Sequence, residues 1–296
     1  AVALEVARRA VVLLDDDGTL PLRPGARLAV LGPLADDPMG MLGCYSFPAH
    51  VGVRHPDHAM GIDIPSVLDQ LVERHAGGDA AALRHVRGCA ITGDDRSGVE
   101  EAVSAAREAE VAVVVVGDQA GLFGRGTSGE GCDATDLRLP GVQEDLVRAV
   151  LDTGTPVVLV LLTGRPYALG DLAERSAAVV QGFFPGQRGG QAVAEVLTGQ
   201  VNPSGRLPVS LPREVSGQPG TYLAAPLARR SGVSNVDPTP LYPFGHGRGY
   251  TSFSWEDVRG AGSGDAGLDA ARADRTAWRV DGEATVEVTV RNTGGR

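Results

Sequence analysis

Residues 110–118 read EVAVVVVGD. A short β-branched run with no polar face is what a central strand of a parallel sheet, buried on both sides, requires. The same texture returns at 156–163, PVVLVLLT, and more briefly at 27–32 and 177–181. Between these strands lie stretches with apolar residues at helical spacing: about Gly98 to Glu108, Gln143 to Thr153 and Gly190 to Leu197. Ile64-Pro65-Ser66 offers a further helix start, followed by Val67, Leu68, Leu71 and Val72 on one face. Strands alternating with helices predict an α/β fold, a three-layer α/β sandwich whose mostly parallel sheet is covered on both faces.

Working outward, Val2 to about Leu14 reads as one amphipathic helix with Glu5, Arg8 and Arg9 facing water. After Pro212 the texture changes. Residues 213–250 are rich in Pro, Gly and Ser, with turn signals at Asp237-Pro238 and Pro243, and read as a long ordered linker. A polar Gly/Asp stretch beyond Asp257 precedes ATVEVTVRN at 284–292, whose strict alternation is that of a half-buried antiparallel strand. One strand is not a domain, so it is expected to open a β-sandwich. The predicted division is residues 1–212 as α/β sandwich, 213–256 as linker and 257–296 as the start of the β-sandwich.

The chain has 296 residues, ample for one large or two smaller cores, with 43% hydrophobic and 22% charged residues. Its net charge of −10 disfavours a nucleic-acid surface, which needs a basic patch to neutralise phosphates. All 27 basic residues other than histidine are arginine, so the lysine-dependent P-loop is excluded. No apolar run is long enough to span a bilayer as a helix. Cys44, Cys89 and Cys132 form no disulfide framework or metal-type pair. The chain opens without methionine or a signal-peptide pattern and stops mid-texture at TVRNTGGR, as a piece cut from a longer protein would. Localisation is therefore not fixed by the sequence.

The chemistry concentrates in residues 119–143, QAGLFGRGTSGEGCDATDLRLPGVQ, directly after the strand at 110–118. Open α/β sheets place functional groups on loops at the carboxyl ends of their strands. This loop presents Glu130, Asp133 and Asp136 on a Gly/Ser/Thr backbone able to approach a ligand closely. A carboxyl group enclosed by such a loop is desolvated and becomes a proton donor near neutrality. Residues 124–129 also match GxGxxG formally, but the fingerprint should join strand to helix directly. Here Gln119–Phe123 intervenes and Glu130 follows the third glycine, where it repels a pyrophosphate. A plain solvated acidic loop is the remaining alternative.

SGEGCD at 128–133 followed by LRLPGVQ at 137–143 resembles the second-domain signature of glycoside hydrolase family 3. So do LLDDDGTLPL (13–22), LAVLGPLAD (28–36), GFFPGQRGGQAVAEVLTG (182–199), NPSGRLPVSLP (202–212) and LYPFGHGRGYTSF (241–253), in the same order. The resemblance implies an exo-β-glycosidase of retaining mechanism that removes terminal β-linked glucose or xylose. It implies a barrel domain carrying an aspartate nucleophile, this α/β sandwich carrying the acid/base, and a fibronectin type III-like domain. Carried over, the acid/base falls on Glu130. The nucleophile matches nothing in this chain, which by itself is then expected to be inactive. No metal or organic cofactor is implied, and the expected partners are a small glycoside or oligosaccharide and the barrel domain. Where the family commonly has arginine after Glu-Gly-x-Asp, this chain has Ala134, which removes a loop-ordering ion pair. A different class of reading is a non-catalytic carbohydrate-binding or structural module, in which the Glu130 loop only shapes a pocket.

Lesser candidates flank the loop. Phe123 can stack on a sugar ring near the leaving group or simply pack; Arg125 reads first as a surface arginine and otherwise as a hydrogen-bond donor to substrate hydroxyls, and Asp133 can hydrogen-bond hydroxyls. His50, His55 and His58 with Asp57 and Asp63 have no metal-ligand spacing. His246, in PFGHG, is expected to tie the linker across the sandwich.

Overall fold

The computed structural model describes residues 1–55, 57–215, 230–233, 235–262 and 284–295. They form two compact units, Ala1–Arg248 and Gly249–Arg296.

The first unit is built on a six-stranded sheet. Its strands are β1 (Val12–Asp16), β2 (Leu28–Leu31), β3 (Leu83–Val86), β4 (Val111–Gly117), β5 (Val157–Leu162) and β6 (Ala178–Gln181). Their spatial order is β1-β6-β5-β4-β2-β3. Every neighbouring pair is parallel except β1 with β6. The α/β class and the mostly parallel sheet are as expected. Each position of β5 is buried, which is why that strand carries no polar face; each such Val or Leu contributes about 1.5–3 kcal/mol. The helices are α1 (Val2–Ala10), α2 (Phe47–His50), α3 (Val67–Arg74), α4 (Val99–Glu108), α5 (Gln143–Leu151), α6 (Asp171–Arg175) and α7 (Gly189–Leu197). α1 and α3 pack on α7, and α4 and α6 pack on α5. Ser66 and Asp69 start α3 with a reciprocal capping box, each side chain accepting from the other's backbone N–H.

The N-terminal expectation needs correction. The helix stops at Ala10, and the buried apolar run Val11–Leu14 enters β1, with Val12 opposite Gln181 and Asp16 opposite Ala178. Such a run suits helix or strand equally by periodicity; the edge of β6, otherwise unpaired, decides it. Arg8 is only partly exposed, its side chain at 33%. It makes two hydrogen bonds to the buried Glu195 of α7, at 2.6 and 2.9 Å, while Val2 and Val6 are exposed.

Part of the expected linker, residues 216–229 and 234, lies outside the described residues. Residues 242–248 belong to the first unit and run back along it. The Leu211 N–H donates to the Tyr242 carbonyl at 2.8 Å and the Arg248 N–H to the Leu13 carbonyl at 2.8 Å. A ring nitrogen of His246 lies 2.7 Å from the Leu14 carbonyl, the tie expected of it.

The second unit is an antiparallel pair, β7 (Phe253–Gly262) and β8 (Ala284–Asn292), with Phe253 opposite Asn292 and Gly262 opposite Ala284. β8 was legible; β7 was not, and most of the polar stretch after Asp257, residues 263–283, lies outside the described residues.

One feature of the sheet positions the site. β2 has β3 on one side and β4 on the other, so the chain changes its winding direction there. The loops leaving the carboxyl ends of β2 and β4 therefore flank the crevice where open α/β sheets bind ligands.

Candidate active site

The loop after β4, residues 118–142, begins at Asp118, which is completely buried. Its carboxylate accepts from the Thr127 hydroxyl at 2.6 Å, the Gly164 N–H at 2.8 Å and the Tyr167 hydroxyl. Burial, followed by the adjacent Asp118 charge, pushes the Tyr167 phenol far above its ordinary range, so it remains a donor. Beyond this staple the chain loops round and then runs parallel to its own first stretch, with Ala120 bridged to Ser128. The Thr127 N–H donates to Gln119, Gly121 to Ser128 and Phe123 to Glu130, at 2.8, 2.9 and 2.8 Å. Gly129 has φ of +134°, and a Cβ there would lie 2.1 Å from the Gly121 carbonyl and 2.9 Å from the Cys44 Cβ. The glycines expected to admit a ligand thus serve first to bring chain against chain.

The end of β4 is secured from α5. Gln143, buried at the helix start, accepts from the Gly117 N–H at 2.7 Å and donates to the Gly117 and Ile91 carbonyls at 2.9 and 3.0 Å. This gives a physical reason for a glutamine at the end of LRLPGVQ. Gln143→Met fills the same space but strips the partner from those backbone groups. The expected cost is about 2–4 kcal/mol, read as a lower urea midpoint at unchanged m-value.

Glu130 lies in a turn at the end of this parallel-paired stretch and is exposed. The enclosure expected for it is therefore not provided by its own loop, because the backbone pairing turns the carboxylate outward. Its described side-chain partner is Tyr45, whose hydroxyl donates to Oε2. Tyr45 arrives from the loop after β2, 85 residues earlier, across the switch point. The hydrogen bond to Glu130 raises the Tyr45 phenol above its ordinary range. The His50 ring stands edge-on to Tyr45 with centroids 6.2 Å apart. Tyr45 escaped the sequence reading because no spacing links it to Glu130; the only clue was that both loops leave neighbouring strands.

Phe123 and Arg125 line a cavity of about 230 Å³ together with His50, Arg54, Gln119 and Leu122. Phe123 holds the left-handed φ of +54° and its side chain is exposed, an unusual state for a non-glycine residue. Asp133 lies elsewhere, on a larger cavity of about 610 Å³ with Asp136, Arg138, Glu144 and Arg165. There burial raises Glu144 above the usual carboxylate range. Arg165 donates to the Cys132 carbonyl at 2.7 Å, so the loop is braced from the β5 side although position 134 is alanine. His55 and His58 line a mainly apolar cavity of about 550 Å³ with Met39, Phe47 and Val51. Among the described residues no group of three or more His, Cys, Asp or Glu side chains is arranged to hold a metal ion.

A six-stranded, mostly parallel α/β sheet with a carboxylate-bearing loop at its switch point defines the class of protein. The profile of the glycosyl hydrolase family 3 C-terminal domain matches residues 10–250, and the chain belongs to that family. It is 36% identical to a beta-xylosidase of Formosa agariphila over 298 residues, covering 99% of this chain and 38% of that protein. To a periplasmic beta-glucosidase of Salmonella typhimurium it is 34% identical, covering 99% of this chain and 39% of that protein. Among solved structures, a beta-glucosidase involved in saponin metabolism from intestinal bacteria superposes with TM-score 0.80 at 29% identity, covering 99% of this chain and 42% of that one. A beta-glucosidase from Erythrobacter marinus gives TM-score 0.75 at 32% identity, covering 99% and 39%. The chain thus spans about two-fifths of the length of these proteins.

Proposed function

We propose that this chain supplies the general acid/base of a retaining exo-β-glycosidase that releases terminal β-D-glucosyl or β-D-xylosyl residues. The observation that carries the reading is Glu130: a carboxylate turned outward at the switch-point crevice, on a loop fastened at Asp118 and along Gln119–Glu130. In the first step an aspartate attacks the anomeric carbon while Glu130 protonates the departing glycosidic oxygen. In the second, the Glu130 carboxylate takes a proton from water as that water releases the glycosyl-enzyme. Two carboxyl groups about 5 Å apart and one water suffice for this chemistry. The nucleophile is assigned to a barrel domain outside this chain, in keeping with the greater length of the relatives. Docking of that barrel over Glu130 supplies the exclusion of water that the loop alone does not. Phe123 and Arg125 are assigned to the leaving-group side, on the cavity adjoining Glu130; Asp133, on a separate cavity, is assigned to loop geometry. β7 and β8, with Val286, Val288 and Val290 on one face, open the fibronectin type III-like domain.

The divided site is tested with aryl β-glucoside and aryl β-xyloside, offered to this chain alone and to the full-length protein. Turnover by the full-length protein only is the expected result, and the better substrate names the sugar. Turnover by the isolated chain would place a second reacting carboxylate within these residues and overturn the assignment.

A further inference from the structure

We infer that Tyr45 is the positioning residue of Glu130, fixing Oε2 of the carboxylate so that Oε1 alone exchanges the proton with the leaving group and the water. The inference rests on the acid/base reading above and adds a residue to it.

Three observations carry it. The Tyr45 hydroxyl donates to Glu130 Oε2 from a different loop, so the two sides of the switch-point crevice meet at this bond. The loop bearing Tyr45 is itself built: the Ser46 N–H donates to the Gly43 carbonyl at 3.0 Å, and the Ser46 hydroxyl accepts from the Ala49 N–H at 3.4 Å. Cys44, next to Tyr45, sits so close to Gly129 that only glycine fits there. The two loops are therefore in register one residue before the hydrogen-bonded pair. Finally, a carboxylate on an exposed bend has free rotamers, and a fixed donor on one oxygen removes much of that freedom.

The bond also has a direction. Tyr45 is the donor and Oε2 the acceptor, so the lone pairs of Oε1 stay free for the proton. The titratable groups facing Tyr45 are Glu130, Cys44 and His50. The Glu130 loop adds Arg125 and Asp133, and the cavity beside it adds Arg54. None of these donates to the Glu130 carboxylate among the described residues, so removing the Tyr45 hydroxyl leaves that position to water.

Tyr45 is 66% exposed, so Tyr45→Phe is expected to fold as the parent does. The test compares it with the parent in the full-length protein, on aryl β-glycosides spanning good to poor leaving groups. The kcat for a poor leaving group is expected to fall about tenfold, and that for an activated phenol much less. An equal loss on every substrate would mean that Tyr45 only packs, and would overturn the inference. Glu130→Gln run beside it separates the two ideas. If that variant hydrolyses poor leaving groups normally, the acid/base reading itself fails. If it does not, while Tyr45→Phe keeps the parent's leaving-group dependence, the Tyr45 assignment alone fails.

Discussion

Replacing Glu130 by alanine in the full-length protein is expected to lower kcat/KM for a β-glycoside with a poor leaving group by about 10²–10⁴-fold, the usual worth of a general acid. The loss arises because an alkoxide or an unactivated phenolate leaves only as it is protonated, and alanine provides no proton. With a dinitrophenolate, already stable as an anion, the first step proceeds without help. The loss there is confined to the second step, and the variant shows a burst as glycosyl-enzyme accumulates. This split by leaving group separates a proton donor from a residue that merely binds sugar, since a lost binding contact weakens both substrates in KM. Equal kinetics for the variant and the parent would return the chain to the reading of a non-catalytic carbohydrate-binding or structural module.

The second large effect concerns the staple beneath the loop. Asp118→Ala removes the acceptor of the Tyr167 hydroxyl, the Thr127 hydroxyl and the Gly164 N–H. Each buried donor left unpaired costs about 1–3 kcal/mol. Thr127 keeps a partial substitute, because its hydroxyl also donates to the Gln119 carbonyl at 3.4 Å. The net expectation is about 3–4 kcal/mol, or roughly 10 °C in melting temperature for a unit of this size, measured by calorimetry. Asp118→Asn keeps the shape but turns one oxygen into a donor that meets other donors, and about half the loss is expected. A melting temperature within about two degrees of the parent for Asp118→Ala would show that the loop is held by its glycine contacts instead.

How far the sequence revealed this arrangement depended on how many constraints each segment had to meet. β4 and β5 are buried on both faces by neighbours of the same kind, so their composition had little choice and their reading was direct. α3 declared itself through Ser66 and Asp69. The run Val11–Leu14 did not, because it satisfies burial as helix or strand, and only the exposed edge of β6 distinguishes the two. β3, with Arg84 exposed and His85 half-buried on a sheet edge, carries no strand pattern at all. At the candidate site, Glu130 stands out in the sequence because the motif that proposes it is local. Asp118 was visible as the last residue of a strand, yet nothing marked it as the acceptor for three separate segments. Tyr45 and Gln143 were silent for the same reason: what they do depends on pairings that exist only once the sheet has brought β2, β4 and their loops side by side.

The central claim, that Glu130 is the acid/base of a retaining reaction, is tested most directly by one product analysis. Glu130→Ala in the full-length protein is given a dinitrophenyl β-glycoside with and without sodium azide. With the base gone, water attacks the glycosyl-enzyme slowly, while azide needs no deprotonation and enters the vacated space on the face the leaving group left. The account predicts an azide-accelerated turnover whose product is the β-glycosyl azide, with configuration retained. An α-glycosyl azide would make Glu130 the nucleophile, and a turnover indifferent to both the mutation and azide would remove it from the chemistry altogether.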